Sequence, residues 1–184
     1  MAIRARRPSG LVLNLGCKET RLGDINVDIR GRPDIRASAL YLPFKTSAFS
    51  LILFSEVLEH LPRNTESRAL REIRRVTIED GLLILSTPSA EGFWGKVYWF
   101  SDPAFWLIDH RHYTIARLME LLEEGRFETE MMTIRGGPRD MLFSLVTPFS
   151  YLVNKLVPLR HLEIPSDYAS ENAKRGYTLI AQAR

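Results

Sequence analysis

The sequence has a single cysteine, Cys17, among its 184 residues. One thiol cannot form an internal disulfide, and it cannot supply the several ligands of a cysteine-based zinc site. The four histidines lack the set of partners whose spacing would predict a metal cage. We therefore expect neither a disulfide-stapled secreted fold nor a bound metal.

Basic residues outnumber acidic residues only slightly. The chain has 25 Lys and Arg against 22 Asp and Glu, which gives a net charge of +3. Even with a pI of 9.2, this excess is a weak argument for a nucleic-acid partner, and we expect none. Arg4, Arg6 and Arg7 are followed by Pro8 and Gly10 rather than by an apolar segment. No secretory signal is predicted, and the expected location is the cytoplasm.

Long uninterrupted apolar runs are absent as well. Residues 141–159 come nearest, with Lys155 as their one charged residue, but Pro148, Asn154 and Pro158 interrupt them. A membrane-spanning helix is therefore not predicted. Three interpretations stay open for these residues: a pair of core helices, a dimer or lid surface, and a surface that contacts a membrane or a lipid acceptor.

What the sequence does contain is an alternation of short apolar runs and amphipathic segments. Strands are predicted at residues 11–15, 25–29, 49–54, 81–85, 127–134 and 177–183, and helices at residues 63–76 and 114–124. Asn64 or Thr65 is expected to cap the first helix, and Thr114 to cap the second, with Gly125 as its stop. Strands that alternate with helices predict an α/β fold with a parallel-rich sheet and a ligand at the carboxyl ends of its strands.

Aromatic residues are concentrated in one short segment. Residues 93–106 hold seven of them, including all three tryptophans of the chain. Apolar and aromatic side chains form most of the lining of small-molecule pockets, so this segment is a candidate lid over a ligand.

A glycine turn and an acidic residue are the first sign of chemistry. The run Leu13-Asn14-Leu15 enters a turn at Gly16, where the missing Cβ lets the backbone approach a ligand. Asp28 ends the next predicted strand, where a carboxylate can accept hydrogen bonds from both ribose hydroxyls of an adenosine. The dinucleotide fingerprint is absent, because Lys18 and Arg21 stand at its later glycine positions.

Several further motifs occur in a consistent order. They are residues 11–17, 26–29 (Asn-Val-Asp-Ile), 42–44 (Leu-Pro-Phe), 48–52, 56–61 (Glu-Val-Leu-Glu-His-Leu), 71–76, 81–88, 109–114 (Asp-His-Arg-His-Tyr-Thr) and 121–123. Together these motifs resemble the class I S-adenosylmethionine-dependent methyltransferases of the type 11 group, over roughly residues 11–128. The resemblance implies a Rossmann-like sheet, parallel-rich with an antiparallel late strand, in one domain over residues 1–184. It also implies S-adenosylmethionine as the cofactor.

The resemblance suggests site residues as well. Cofactor contacts are expected from Asn14, Gly16, Cys17, Asp28, Ile29, Ser38, Ala39, Leu40, Ser55 and Glu56. In the loop before the second helix, His110 and His112 are candidates for a general base, since imidazole accepts a proton near neutral pH. Substrate contacts are expected from Trp94, Tyr98 and Tyr113, within a lid at residues 93–113.

Three departures from the family pattern bear on activity. Lys18 and Glu19 follow the turn where the family has more glycines, and Ser38 stands where an Asp usually meets the adenine amino group. Only residues 16–24 connect the first two strands, too few for a crossover with its helix. A short-form subgroup of the family shares this truncated first crossover.

The sequence thus predicts methyl transfer to a small or lipid-like acceptor. An insertion at residues 137–160 is expected, and its apolar part, residues 141–159, would give peripheral membrane contact. The alternative is a methyltransferase-like domain that binds or regulates without turnover.

Overall fold

The computed structural model describes residues 10–91, 111–135 and 178–184 of the chain. These residues form seven strands and two α-helices. The strands are β1 (Val12–Leu15), β2 (Ile25–Asp28), β3 (Ile35–Arg36), β4 (Phe49–Ser55), β5 (Thr77–Pro88), β6 (Thr129–Arg135) and β7 (Thr178–Ala183), and the helices are α1 (Glu66–Val76) and α2 (Ile115–Glu124). A short 3-10 turn, Leu58–His60, follows β4.

All seven strands belong to one sheet with the order β3-β2-β1-β4-β5-β7-β6. The pairs from β3 through β5 are parallel, whereas β7 is antiparallel to both β5 and β6. This arrangement confirms the predicted parallel-rich α/β sheet with an antiparallel late strand. Two details were not predicted: β3 has only two residues, and β5 begins at Thr77 rather than near Gly81.

The core lies between one face of the sheet and the two helices. Ile52 and Phe54 of β4 and Leu83 and Leu85 of β5 are fully buried on that face. They belong to one apolar cluster with Leu70 and Ile73 of α1 and Leu118, Leu121 and Leu122 of α2. Each such side chain contributes about 1.5–3 kcal/mol by its removal from water.

α2 ends at Glu124, and Gly125 caps it as predicted. The glycine itself has ordinary helical backbone angles, and Arg126 takes the left-handed conformation, with φ 64°. A Cβ on Gly125 would lie 2.6 Å from Cβ of Leu70, so the glycine is needed for the close approach of α2 to α1. Thr114 caps α2 as predicted, since its hydroxyl accepts from the backbone N–H of Arg117 at 3.2 Å.

The first crossover has no helix between β1 and β2, as its length predicts. Residues 16–24 form a loop that two buried asparagines hold against the sheet. The Nδ2 of Asn14 donates to the carbonyl of Thr20 at 2.8 Å and to Oδ1 of Asn26 at 3.2 Å. Asp34 accepts from the backbone and side chain of Asn26, at 2.9 and 2.8 Å. Side-chain amides and a carboxylate therefore anchor the loop that replaces the helix.

Over the ranges the structure describes, neither helix has the length and apolar content needed to cross a lipid bilayer.

Candidate active site at the carboxyl edge of the sheet

The carboxyl edge of the sheet is formed by the residues that follow β1, β2, β4 and β5. At the end of β1, Gly16 has φ 80°, and its backbone N–H donates to the carbonyl of Val27 at 2.7 Å. A Cβ on Gly16 would lie 2.1 Å from Cγ2 of Val57. The turn after β1 therefore packs directly on the turn after β4, and only glycine fits between them.

Asp28 lies at the end of β2 and binds the two turns beside it. One carboxylate oxygen accepts from the N–H of Lys18 at 2.8 Å, and the other accepts from the N–H of Arg30 at 2.9 Å. A carboxylate has about four acceptor positions, so each oxygen keeps capacity for a further hydroxyl donor. The geometry suits the predicted contact with a ribose, because both oxygens are already oriented by backbone donors.

Next to Asp28 the edge is open and partly apolar. Ile29 is 61% exposed, an unusual state for a large aliphatic side chain. Gly31, with φ 70°, approaches the carbonyl of Lys18, which a Cβ would meet at 3.1 Å. An exposed aliphatic side chain beside an oriented carboxylate can contact the flat face of a base while the acid binds the sugar.

The ends of β4 and β5 hold a chain of polar side chains. The hydroxyls of Ser55 and Ser86 lie 2.7 Å apart, and Ser86 donates to Oε1 of Glu56 at 2.8 Å. Glu56 has φ 53°, a left-handed conformation that is costly for a residue other than glycine. Ser86 was not predicted as a site residue. The signal that could have indicated it is a serine that interrupts an apolar strand at the predicted ligand edge.

A buried polar network lies behind this edge. Arg111 forms an ion pair with Glu66 of α1 and donates to the carbonyl of Leu61. The hydroxyl of Tyr113 lies 3.3 Å from the carbonyl of Leu58 and 3.4 Å from Glu66. Burial and the neighbouring carboxylates raise the pKa of Tyr113 well above its usual range, with Arg111 acting in the opposite direction. The network joins the end of the expected lid to the turn that follows Glu56.

These contacts give Tyr113 a structural role, since its side chain is only 5% exposed. Its expected contact with a substrate stays a prediction. His112 lies between Arg111 and Tyr113, at the carboxyl edge, because the backbone of Tyr113 binds Pro88 and Ala90. The other candidates from this region, His110, Trp94 and Tyr98, lie outside the described residues.

Cys17 and residues 38–40 complete the expected contacts. Cys17 is buried, and burial together with the charge of Asp28 raises the pKa of its thiol, which is therefore a poor nucleophile. Ser38 begins a tight turn, in which its hydroxyl accepts from the N–H of Leu40 at 3.2 Å. Ala39 is buried and Leu40 is half-buried. None of these placements tests a cofactor contact, so the assignments stay predictions.

Part of this edge is similar to a known protein family. A family described as a methyltransferase domain, of the type 11 group, matches residues 18–85, which include Asp28, Glu56 and the strands that position them. Over these residues the chain is similar to the type 11 methyltransferases. No curated protein sequence matches the chain closely enough to serve as a relative. The family match supports S-adenosylmethionine-dependent methyl transfer and gives no support to a domain without turnover.

Solved structures agree on the fold of this methyltransferase. A possible histamine N-methyltransferase from Thermotoga maritima has a TM-score of 0.64 and 17% identity, over 96% of this chain and 82% of that one. A putative methyltransferase from Bacillus halodurans has a TM-score of 0.59 and 16% identity, over 95% of this chain and 92% of that one. A third, from Archaeoglobus fulgidus, has a TM-score of 0.60 and 15% identity, over 94% and 84% of the two chains. At these identities the likeness establishes the class I methyltransferase fold.

The residues at the carboxyl edge fit S-adenosylmethionine as the cofactor. Asp28 offers oriented acceptors for a ribose, Ile29 an exposed apolar surface for a base, and Glu56 a carboxylate for the amino group of a methionine moiety. Because Gly16 has no Cβ, its turn packs directly on Val57, the residue that follows Glu56. Lys18 and Glu19, which depart from the family pattern, are both exposed.

Proposed function

We propose that this methyltransferase acts on an apolar, lipid-like acceptor. S-adenosylmethionine supplies an electrophilic methyl group when it is bound. The protein's own task is then to hold the acceptor in line with that methyl group and to exclude water, since alignment is the main source of rate in such displacements.

The observation behind the proposal is where two segments attach to the sheet. The segment at residues 92–110 follows β5 and returns at residues 111–113, where Tyr113 binds Pro88 and Ala90. The segment at residues 136–177 follows Arg135 and returns at Thr178, which pairs with both Arg135 and Pro88. The described residues that flank both segments therefore lie at the carboxyl edge, which also holds Glu56 and Ser86.

The composition of these segments supports an apolar acceptor. Residues 93–106 contain seven aromatic side chains, and residues 141–159 contain one charged residue. Side chains of this kind line pockets for apolar ligands. Arg139, Lys155 and Arg160 flank or interrupt the second run, as cationic residues do where a surface contacts anionic lipid. In this proposal the acceptor is reached at a membrane surface.

A general base is required only if the acceptor atom carries a proton. His112 is the described candidate, because it lies at the carboxyl edge and an imidazole can act as a general base. His110 is the second candidate from the sequence.

The test is methyl transfer from labelled S-adenosylmethionine into a total lipid extract and, separately, into an aqueous metabolite pool. We expect label in the lipid extract, and flotation of the protein with anionic vesicles. The variant Phe143→Ser with Leu145→Ser should lose most of both signals. Met119→Ser removes an exposed apolar side chain from α2 and serves as the matched control. Label confined to the aqueous pool would contradict the apolar acceptor while leaving methyl transfer intact.

A further inference from the structure

A cleft lined by arginines lies at the opposite edge of the sheet from the active site. Thr46 and Ser47 precede β4, and Thr77 begins β5, so the cleft opens at the amino ends of these strands. Its volume is about 640 Å³, and Gly125 and Arg126 close it from the end of α2. The seven residues of β4 separate it from the carboxyl edge by about 20 Å. It is therefore distinct from the cofactor site.

Four guanidinium groups line this cleft, and two of them are fixed by the fold. Arg75 is paired with Glu72 at 2.8 Å and donates to the carbonyls of Leu42 and Phe44. Arg74 donates to the carbonyls of Ile78 at 3.2 Å and Glu79 at 3.3 Å. Arg74 thus holds a full positive charge in place without a carboxylate partner among the described residues.

The other two guanidinium groups, those of Arg71 and Arg126, are exposed. Within the described parts of the chain, neither has a hydrogen-bond or ion-pair partner. The cleft also contains the hydroxyl side chains of Thr46 and Ser47 and one carboxylate, that of Glu79. With Arg75 neutralised by Glu72, the lining keeps a net positive charge together with hydroxyl donors. A guanidinium fork matches the oxygens of a phosphate in geometry as well as in charge.

We propose that this cleft binds a phosphate group, with Arg71, Arg74 and Arg126 as its ligands. The volume leaves space for an organic group attached to the phosphate. No aromatic side chain belongs to the described lining, so the lining offers no platform on which a nucleobase could stack. The chemistry recognised is thus the phosphate itself, whether on a soluble phosphate ester or on a lipid headgroup.

Calorimetry with inorganic pyrophosphate, at constant ionic strength, tests the site. The double variant Arg71→Gln with Arg126→Gln should lose affinity by about tenfold or more, because charge-assisted hydrogen bonds are removed. Glu79→Gln should bind about two- to threefold more tightly, since it removes a repelling carboxylate at a partly solvated site. Arg117→Gln also removes a guanidinium charge, on α2 outside the cleft, and should leave affinity unchanged. All three variants should bind S-adenosylhomocysteine like the unmodified protein, which verifies the fold.

Vesicles distinguish the two sources of phosphate. Pyrophosphate binding without association with phosphatidylglycerol vesicles supports a soluble phosphate ester. Association with these vesicles, but not with phosphatidylcholine vesicles, supports a lipid headgroup if the double arginine variant abolishes it. The proposal is overturned if the unmodified protein binds neither probe, or if binding to both is the same in the double variant.

Discussion

At the scale of single residues, Asp28 has two tasks. Its carboxylate orders the turns at Lys18 and Arg30 through backbone hydrogen bonds. The same oxygens are expected to accept from the ribose of the cofactor. Because the first crossover has no helix, the hydrogen bond from Lys18 to this carboxylate helps to fix the loop that takes the helix's place.

Replacement of Asp28 by Ala should weaken S-adenosylmethionine binding by about tenfold or more, which corresponds to about 1.4 kcal/mol. Calorimetry measures the change directly. Asp34→Ala is the matched control, since it also loosens the β1–β2 loop, through loss of its contacts with Asn26 and Arg21, but leaves Asp28 intact. Equal losses in the two variants would mean that loop order, and not the ribose contact, determines the affinity.

At the scale of elements, Glu72 and Arg75 of α1 bind the segment before β4, and we call this pair of side chains the clamp. Glu72 accepts from the N–H of Leu42 at 2.9 Å, and Arg75 donates to the carbonyls of Leu42 and Phe44 at 3.1 and 2.8 Å. The Leu-Pro-Phe motif and the Arg-Glu-Ile-Arg-Arg-Val motif therefore bind each other. The hydrogen bond from Arg75 holds the pKa of Glu72 below its usual value of 4.5.

This clamp predicts a loss of stability in acid. At neutral pH Glu72 is ionised in both the folded and the unfolded chain, and its contribution is fully present. As the pH falls below about 4.5, the unfolded chain binds the proton first, and the contribution is lost as the pH approaches the lower pKa of the folded state. Urea denaturation as a function of pH measures this decline.

The variant Glu72→Gln separates the contribution of Glu72 to the stability from that of the other acidic residues. It should lower the free energy of unfolding at pH 7 by about 1–2 kcal/mol and flatten its dependence on pH below 4.5. Glu120→Gln removes an exposed partner of Arg117 on α2 and should change both quantities little. An unchanged pH dependence in Glu72→Gln would contradict the role of this carboxylate.

At the scale of the whole molecule, the spacing of apolar residues along the sequence predicted the strands and helices. In these elements the buried positions recur with the period of the secondary structure. The two-residue β3 was beyond prediction, since so short a pairing leaves no pattern. Asp28, Gly16 and Glu56 could be placed at the ligand edge because strand ends meet there. The network of Glu66, Arg111 and Tyr113 could not, since it joins residues about fifty positions apart through contacts that no local pattern encodes.

Cofactor binding should alter only one edge of the molecule. With S-adenosylhomocysteine, hydrogen exchange should slow at residues 16–20, 28–31 and 55–57, because the ligand restricts turns that lack a covering helix. Residues 123–128, at the amino edge, should exchange at the same rate with and without the ligand. Mass spectrometry of peptides from both regions provides the measurement, and equal slowing in the two would contradict a cofactor site confined to the carboxyl edge.

The position of β7 has a consequence for the order in which the sheet is completed during synthesis. β7 lies between β5 and β6, although it is made after both. Until β7 is synthesised, the backbone groups of Leu83–Pro88 that pair with it in the folded sheet have no partner strand. The same holds for β6, whose described strand partner is β7. An unpaired apolar strand is a template for association between nascent chains. Assembly of the sheet thus ends in its interior, and the nascent chain is most exposed to aggregation just before β7 emerges.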